Sequence, residues 1–392
     1  MPTTRISHRP PPRRGKRRAS ASSPLPAPLE QIDRVFVRQD GRRLSYFAGC
    51  DYYRFSTHPE IVSAARAIPD GQGITVGASR KTTGNHPAYE ELERNLARFF
   101  ASPAALLVAD GYLANLAVAQ GLAGEFTHAL LDERAHAALA DAALFLPCPV
   151  RTFPHRDAQA VAKMARRCGT SARVLLLTDG LFAHSGEVAP LQEYRRVLPA
   201  NAWLLVDDAH GAGVLGRRGR GTAEHCGVSA TRLIQTLSLS KAFGVFGGVV
   251  LGPASLRARI IRQSRLFAGH TPLPLPLVRA AGAALQLMSD GAARRRQLWF
   301  KAEYVKAALR EAGLGVGDGP GPIVALHPAS ARGREKICRR LRAAGIHPPY
   351  IHYLGGSESG FFRFVISSEH TPAQLDALVE TLRETARWFR GG

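Results

Sequence analysis

The chain has 392 residues, 45% hydrophobic and 21% charged, and its 52 Lys or Arg against 31 Asp or Glu give a formal net charge of +21. That length suits one large or two moderate domains, and the apolar fraction is ample for their cores, which excludes a disordered or collagen-like chain. Only 7 of the basic residues are Lys and 45 are Arg, a bias that genome composition produces as readily as a polyanionic partner.

Residues 1–29 carry seven basic groups, no acid and many Pro and Ser, a composition that cannot bury a core and reads as a disordered basic tail. Without it, 45 basic residues still face 31 acids, so the positive charge belongs to the whole chain. The run 13–18 reads as solvated tail ahead of a nucleic-acid or anionic-surface contact. A segment 30–60 follows. Over 61–285, short apolar runs at 105–109, 129–131, 174–178, 203–206, 233–239 and 249–251 alternate with helical patterns such as Leu92, Leu96, Phe99 and Phe100. That alternation predicts an α/β domain whose mostly parallel sheet is covered on both faces. A long helical stretch, 277–312, leads into a smaller α+β domain, 286–392, with strands 323–326 and 361–366 and a last helix 372–389. No stretch reaches the roughly 18 uncharged apolar residues of a membrane span, since 105–121 is broken by Asp110. Five scattered cysteines, Cys50, Cys148, Cys168, Cys226 and Cys338, form no CxxC pair; they read as free thiols of a reducing, cytoplasmic compartment.

In an open α/β sheet the chemistry lies beyond the carboxyl ends of the strands. Three such ends stand out. Asp207 and Asp208 with His210 follow the run 203–206, where burying charge is costly unless something charged binds there. Lys241 closes Thr236-Leu-Ser238-Leu-Ser240-Lys241, and a desolvated amine loses its proton readily enough to act as a nucleophile. Gly111 and Tyr112 open a helix after Asp110, whose first N–H groups suit a phosphate. Each has an ordinary structural reading alone: Lys241 a helix start, Asp207 an N-cap, Gly111 a turn. Together they form the protein's side of pyridoxal 5'-phosphate (PLP) chemistry. The literal GxGxxG at Gly211, Gly213 and Gly216 is not a dinucleotide fingerprint, because Asp207 to His210 separate it from the strand and Arg217 to Gly221 read as a loop.

The segments Asp207-Asp-Ala-His-Gly-Ala-Gly-Val-Leu-Gly, Ser238-Leu-Ser-Lys241-Ala-Phe-Gly and Gly77-Ala-Ser-Arg80-Lys-Thr-Thr-Gly84-Asn-His-Pro resemble the signatures of the α-oxoamine synthases. These are PLP enzymes of aminotransferase fold type I, among them 8-amino-7-oxononanoate synthase and 2-amino-3-ketobutyrate CoA ligase. The resemblance runs from about residue 45 to the C-terminus. It implies that Lys241 carries PLP and removes the Cα proton of the bound amino acid, Asp207 pairs with the pyridinium nitrogen, and His210 hydrogen-bonds the ring oxygen. It further implies that His136 stacks on the ring, Gly111, Tyr112 and Ser238 hold the phosphate, Thr271 reaches a partner subunit's phosphate in a homodimer, and Arg363 takes the substrate carboxylate. The implied reaction is decarboxylative condensation of a small α-amino acid with an acyl-CoA or acyl carrier thioester, giving an α-amino ketone. Departures from the family pattern include Cys50 for Asn, Arg54 for Gly, Ala183 for Ser, and Asp110 for a neutral residue; Tyr53, His184 and Ser185 also differ from it. The cofactor set is intact while the substrate set is altered, which favours a non-standard amino acid or acyl donor and weighs against biotin synthesis. Another fold-type-I reaction (transamination, aldol cleavage or elimination) is the nearer alternative, and nucleic-acid binding by the tail of a degenerate PLP domain the remoter one.

Overall fold

A computed structural model describes residues 26–69, 71–352 and 360–389. Residues 1–25, which include the basic run of the tail, lie outside the described residues. Residues 26–29 are exposed and have no regular structure.

Three sheets are built along the chain. Strands β1 (Glu30–Gln31), β2 (Phe36–Gln39) and β3 (Arg42–Ser45) form an antiparallel meander. The main sheet uses β4 (Ala104–Val108), β5 (His128–Asp132), β6 (Val150–Phe153), β7 (Val174–Asp179), β8 (Trp203–Asp207), β9 (Leu233–Ser238) and β10 (Gly248–Gly252) in the order β4-β10-β9-β8-β7-β5-β6. A third sheet, β11 (Ile323–Leu326), β12 (Tyr350–Ile351) and β13 (Phe361–Val365), has the order β11-β13-β12 and is antiparallel.

The main sheet is mixed but mostly parallel: only β10 runs against its neighbours, β4 and β9. The link from β9 to β10 holds residues 239–247, too short for the crossover that a parallel pair needs. Leu175, Leu177 and Leu205 pack on one face with Val118 and Ile234, while Leu176, Leu204 and Val206 pack on the other with Phe153 and Tyr194. Both faces are therefore buried, which is why these strands read as unbroken apolar runs. Each fully buried Leu contributes about 1.5–3 kcal/mol. Strand β6 had no such signature, because it is an edge strand with only Phe153 buried.

The expected helix over 277–312 is two helices, Leu275–Ser289 and Ala292–Glu311, broken at Asp290 and Gly291; the first is continuous across residue 285. Helices Ala292–Glu311, Ala331–Ala343 and Pro372–Thr385 bury Val305, Leu309, Ile337, Leu341, Leu375 and Leu378 against Leu326, Phe362 and Phe364 of the third sheet. The last helix begins on a capping box between Thr371 and Gln374, which satisfies two otherwise orphaned N–H groups.

Candidate active site

Strands β4, β5, β7, β8 and β9 all point the same way, so their carboxyl ends share one edge of the main sheet. That edge gathers Gly111 after β4, His136 after β5, Asp179 at the end of β7, Asp207 and His210 at and after β8, and Ser238 and Lys241 at and after β9. The amino end of β10 lies there too, with Gly248 in register with both Val108 and Ser238. A Cβ on Gly248 would lie 2.0 Å from the Asp110 carbonyl oxygen, so this crowded junction admits only glycine.

Asp207 is the most constrained of these groups. It is buried; its Oδ2 accepts a 2.6 Å hydrogen bond from Asn115 Nδ2, and its Oδ1 accepts the Ala209 N–H at 3.1 Å. Asn115 is fully buried in the helix Gly111–Gly121. Its own Oδ1 accepts from the Thr236 hydroxyl at 2.6 Å, so a β9 side chain aligns the amide that aligns the acid. In the parallel register Asp179 stands beside Asp207. Burial, and then the charge of Asp207, push the Asp179 carboxyl well above its usual range. Asp179 is thus the member of the pair driven towards its neutral form. Its Oδ1 accepts the His136 backbone N–H at 2.9 Å, which fixes where β5 hands over to the helix Ala137–Ala143.

Histidine 210 is buried, and its Nδ1 meets the Tyr52 hydroxyl at 2.7 Å. Burial first, and then the charges of Lys241, Arg363 and His136, hold this imidazole well below its ordinary pKa, so it is neutral. The Tyr52 hydroxyl holds the ring at Nδ1, and the direction of that bond sets which nitrogen carries the proton. His136 is also pushed down by burial; Asp207 opposes that shift and Lys241 adds to it. Its Nδ1 accepts the Ala138 N–H at 3.2 Å, capping the helix, and its ring stands edge-on to Tyr112 with centroids 6.4 Å apart.

At the expected phosphate end, Asp110 caps the helix Gly111–Gly121 by accepting the Leu113 N–H at 2.9 Å. The Gly111 and Tyr112 N–H groups precede the first intrahelical bond, which runs from the Ala114 N–H to the Asp110 carbonyl. A Cβ on Gly111 would come within 2.8 Å of the Ser238 Cβ, so glycine keeps this cradle open. The Tyr112 side chain is largely exposed and donates to Asp141. Lys241 is half-buried in the turn after β9, and Ser238 is buried. An acid at the sheet edge, an amine on the adjoining strand exit and an N–H cradle kept open by glycine fit PLP.

Other expected residues sit further out. Arg363 on β13 is half-buried, with Nη2 3.6 Å from Cys50 Sγ. Thr271 is exposed, in the loop after the helix Arg265–Gly269. Arg54 sits in left-handed backbone at φ 53, a conformation that favours glycine, and buries its guanidinium against the carbonyls of Tyr46 (2.8 Å) and Ala48 (3.5 Å). Ala183 is buried on the hairpin that follows β7.

One expectation is corrected. Asp208 needs no bound cation: it accepts from the Thr222 hydroxyl and N–H and from Gln235 at 2.6, 2.8 and 3.0 Å, and burial raises its carboxyl to about 6. It pins the loop that brings the chain from Gly211 back to Thr222. That loop carries turns and the positive-φ glycines Gly213, Gly216, Gly219 and Gly221, in keeping with the rejection of the dinucleotide motif. The sequence reading gave no role to Asn115, Thr236, Tyr52 or Asp179. Asn115 had a visible signal, an amide inside the apolar run 113–119 of its helix; Tyr52 had none, because its partner lies 158 residues away.

The model of the aminotransferase class I and II family matches residues 48–382. The 8-amino-7-oxononanoate synthase of Methylococcus capsulatus is 36% identical over 361 residues, covering 90% of this chain and 92% of that protein. The solved Sphingomonas wittichii serine palmitoyltransferase superposes with a TM-score of 0.85 at 24% identity over 91% of each chain. A serine palmitoyltransferase structure containing PLP gives 0.85 at 23% identity, again over 91% of each. The chain is therefore a member of the α-oxoamine synthases, within the PLP-dependent aminotransferase class I and II family.

Proposed function

We propose that the chain is a PLP-dependent C-acyltransferase that condenses a small α-amino acid with an acyl-CoA or acyl carrier thioester, releasing CO2 and the free thiol and leaving an α-amino ketone. The Cα–H bond breaks and a bond forms between Cα and the acyl carbon as the thioester C–S bond breaks; the bond from Cα to the carboxylate then breaks, a proton returns to Cα in its place, and the departing thiolate takes a proton from solvent. The observation that most supports this reading is the doubly anchored Asp207 beside the Lys241 turn, at the edge where the N–H cradle opens.

When bound, PLP supplies an aldehyde that captures amines and a ring that withdraws electrons from Cα. Lys241 would hold it between turnovers and would take the Cα proton. Asp207 presents its charge to the ring nitrogen, and Asn115 and Thr236 stop that carboxylate from rotating. His210, neutral, would hydrogen-bond the ring oxygen, with Tyr52 holding the imidazole at Nδ1. His136 covers the ring. The N–H groups of Gly111 and Tyr112 and the Ser238 hydroxyl hold the phosphate, while Arg363 grips the amino-acid carboxylate. Arg217, Arg218 and Arg220 guide a phosphate-bearing thioester electrostatically. Two copies of the chain associate as a cytoplasmic homodimer, with Thr271 reaching the partner's phosphate. Cys50 beside Arg363, together with Arg54, Ala183 and Asp110, favours an amino acid or acyl donor outside the family's usual choice.

The test is to incubate the purified protein with a panel of amino acids and acyl-CoAs, following free thiol and identifying products by mass spectrometry. Thiol release that needs both substrates, and that falls by about 10³-fold or more in Lys241→Ala, is the expected result. Keto acid formed without acyl-CoA would point to transamination and overturn the proposal.

A further inference from the structure

The hairpin after β7 carries a group of side chains that the reaction does not use. His184, Glu187 and, from the loop after β6, His155 bring one ligand atom each to within 4.8 Å of one another. We propose that these three residues form a binding site for a divalent transition metal of the zinc class, one that the reaction proposed above does not require.

The geometry is that of a prepared site. His155 Nδ1 lies 2.9 Å from Asp132 Oδ1, and the same carboxylate also accepts the N–H groups of Arg134 and Arg156 at 2.9 and 3.0 Å. A carboxylate that serves as acceptor throughout makes Nδ1 a donor and leaves Nε2 directed at Glu187, where an ion would displace any proton it carries. A carboxylate behind an imidazole is the usual outer shell of a metal-binding histidine. His155 Nε2 stands 3.4 Å from Glu187 Oε2, and two ligands on a tetrahedral ion with bonds of about 2.0–2.1 Å are separated by about 3.3 Å. The other Glu187 oxygen is held by Arg156 Nη1 at 2.5 Å, so the carboxylate is oriented with Oε2 towards His155. His184 Nε2 is buried and has no hydrogen-bond partner, an expensive state for a ring nitrogen that a ligand would relieve. The Phe182 ring sits edge-on to both imidazoles, with centroids 4.4 Å from His155 and 5.7 Å from His184.

The scaffold is stiff. Leu181 bridges Val188, the Phe182 N–H donates to the Glu187 carbonyl at 2.9 Å, and Gly186 turns at φ 76. Access is open as well, since the Glu187 side chain is 31% exposed while His155 is 11% exposed. Two imidazoles and one carboxylate suit Zn2+, with the fourth position left for water.

The test titrates PLP-loaded protein with Zn2+ by calorimetry, repeats it with Co2+ read by absorbance, and compares His184→Ala and Glu187→Gln. We expect one Zn2+ per chain with Kd below about 10 µM, weakened at least tenfold in both variants. Zn2+ at a fixed concentration should raise Tm of the wild type by about 3 °C or more and that of the variants by less. The Co2+ spectrum should lack thiolate charge-transfer bands, because the five free cysteines take no part. If His184→Ala does not fold, Glu187→Gln carries the comparison. Binding below half an equivalent, affinity unchanged in a folded variant, or a thiolate band would each overturn the proposal.

Discussion

Replacing Asn115 by Ala isolates the alignment of the acid from the acid itself. The side chain is fully buried and makes two 2.6 Å hydrogen bonds, one to the Asp207 carboxylate and one from the Thr236 hydroxyl. A hydrogen bond to a charged group is worth about 1.5–3 kcal/mol and a neutral one about 0.5–1.5 kcal/mol, and both partners here stay behind in a site that water does not reach. Asn115→Ala should therefore destabilise the PLP-free protein by about 2–4 kcal/mol. With only the Ala209 N–H left on Asp207, PLP should dissociate about tenfold more readily or worse, equivalent to about 1.4 kcal/mol. Urea unfolding of the apo-protein and the visible absorbance of bound PLP during dilution measure the two effects separately. Thr236→Val provides an internal comparison, because it removes only the outer bond and should show a smaller effect of the same sign. If Asn115→Ala changes stability by less than about 0.5 kcal/mol and leaves PLP affinity unaltered, the backbone alone positions Asp207 and the relay is not functional.

Two further outcomes follow from the same structure. Tyr52→Phe removes the hydroxyl on His210 Nδ1 and frees the ring to exchange tautomers; kcat/KM should fall about tenfold, at a cost of about 1.4 kcal/mol, with PLP loading unchanged on the absorbance titration. His370 is fully buried, its Nδ1 accepting the Ser367 N–H at 3.0 Å and its Nε2 donating to the Tyr46 carbonyl at 3.1 Å, and burial first, then Arg54, lowers its pKa to about 3. The folded value lies below the unfolded one of about 6.5, so the fold prefers the neutral ring. The unfolded state takes up the proton first, and stability should be lost as pH falls from about 6.5 towards 3, on the order of 4 kcal/mol. His370→Gln keeps both hydrogen-bond senses without titrating; melting curves from pH 7 to 4 should then show a shallower acid decline than wild type, and equal slopes would exclude His370 as the cause.

The apolar runs ending at Ala109, Thr178, Val206 and Leu239 revealed the α/β architecture, because a strand buried on both faces has no polar side to break its pattern. The same strand ends exposed Asp207, His210, Lys241 and Gly111, since charge and glycine placed directly after a core strand need a reason. Edge strand β6 and the antiparallel sense of β10 were not legible. The first has only one buried residue to mark it, and the second depends on a short connection rather than on composition. Residue chemistry alone could not separate Asp207 from Asp208, and it was the family resemblance that chose Asp207. These neighbours carry the same chemistry, and only the packing of Thr222 and Gln235 makes one of them structural while Asn115 aligns the other. Residue type and local spacing thus determined which groups reach the sheet edge. Which of them touch was decided by contacts such as Tyr52 with His210 and Asn115 with Asp207, 158 and 92 residues apart, because such pairings arise from how strands and helices pack and leave no periodic trace in the chain.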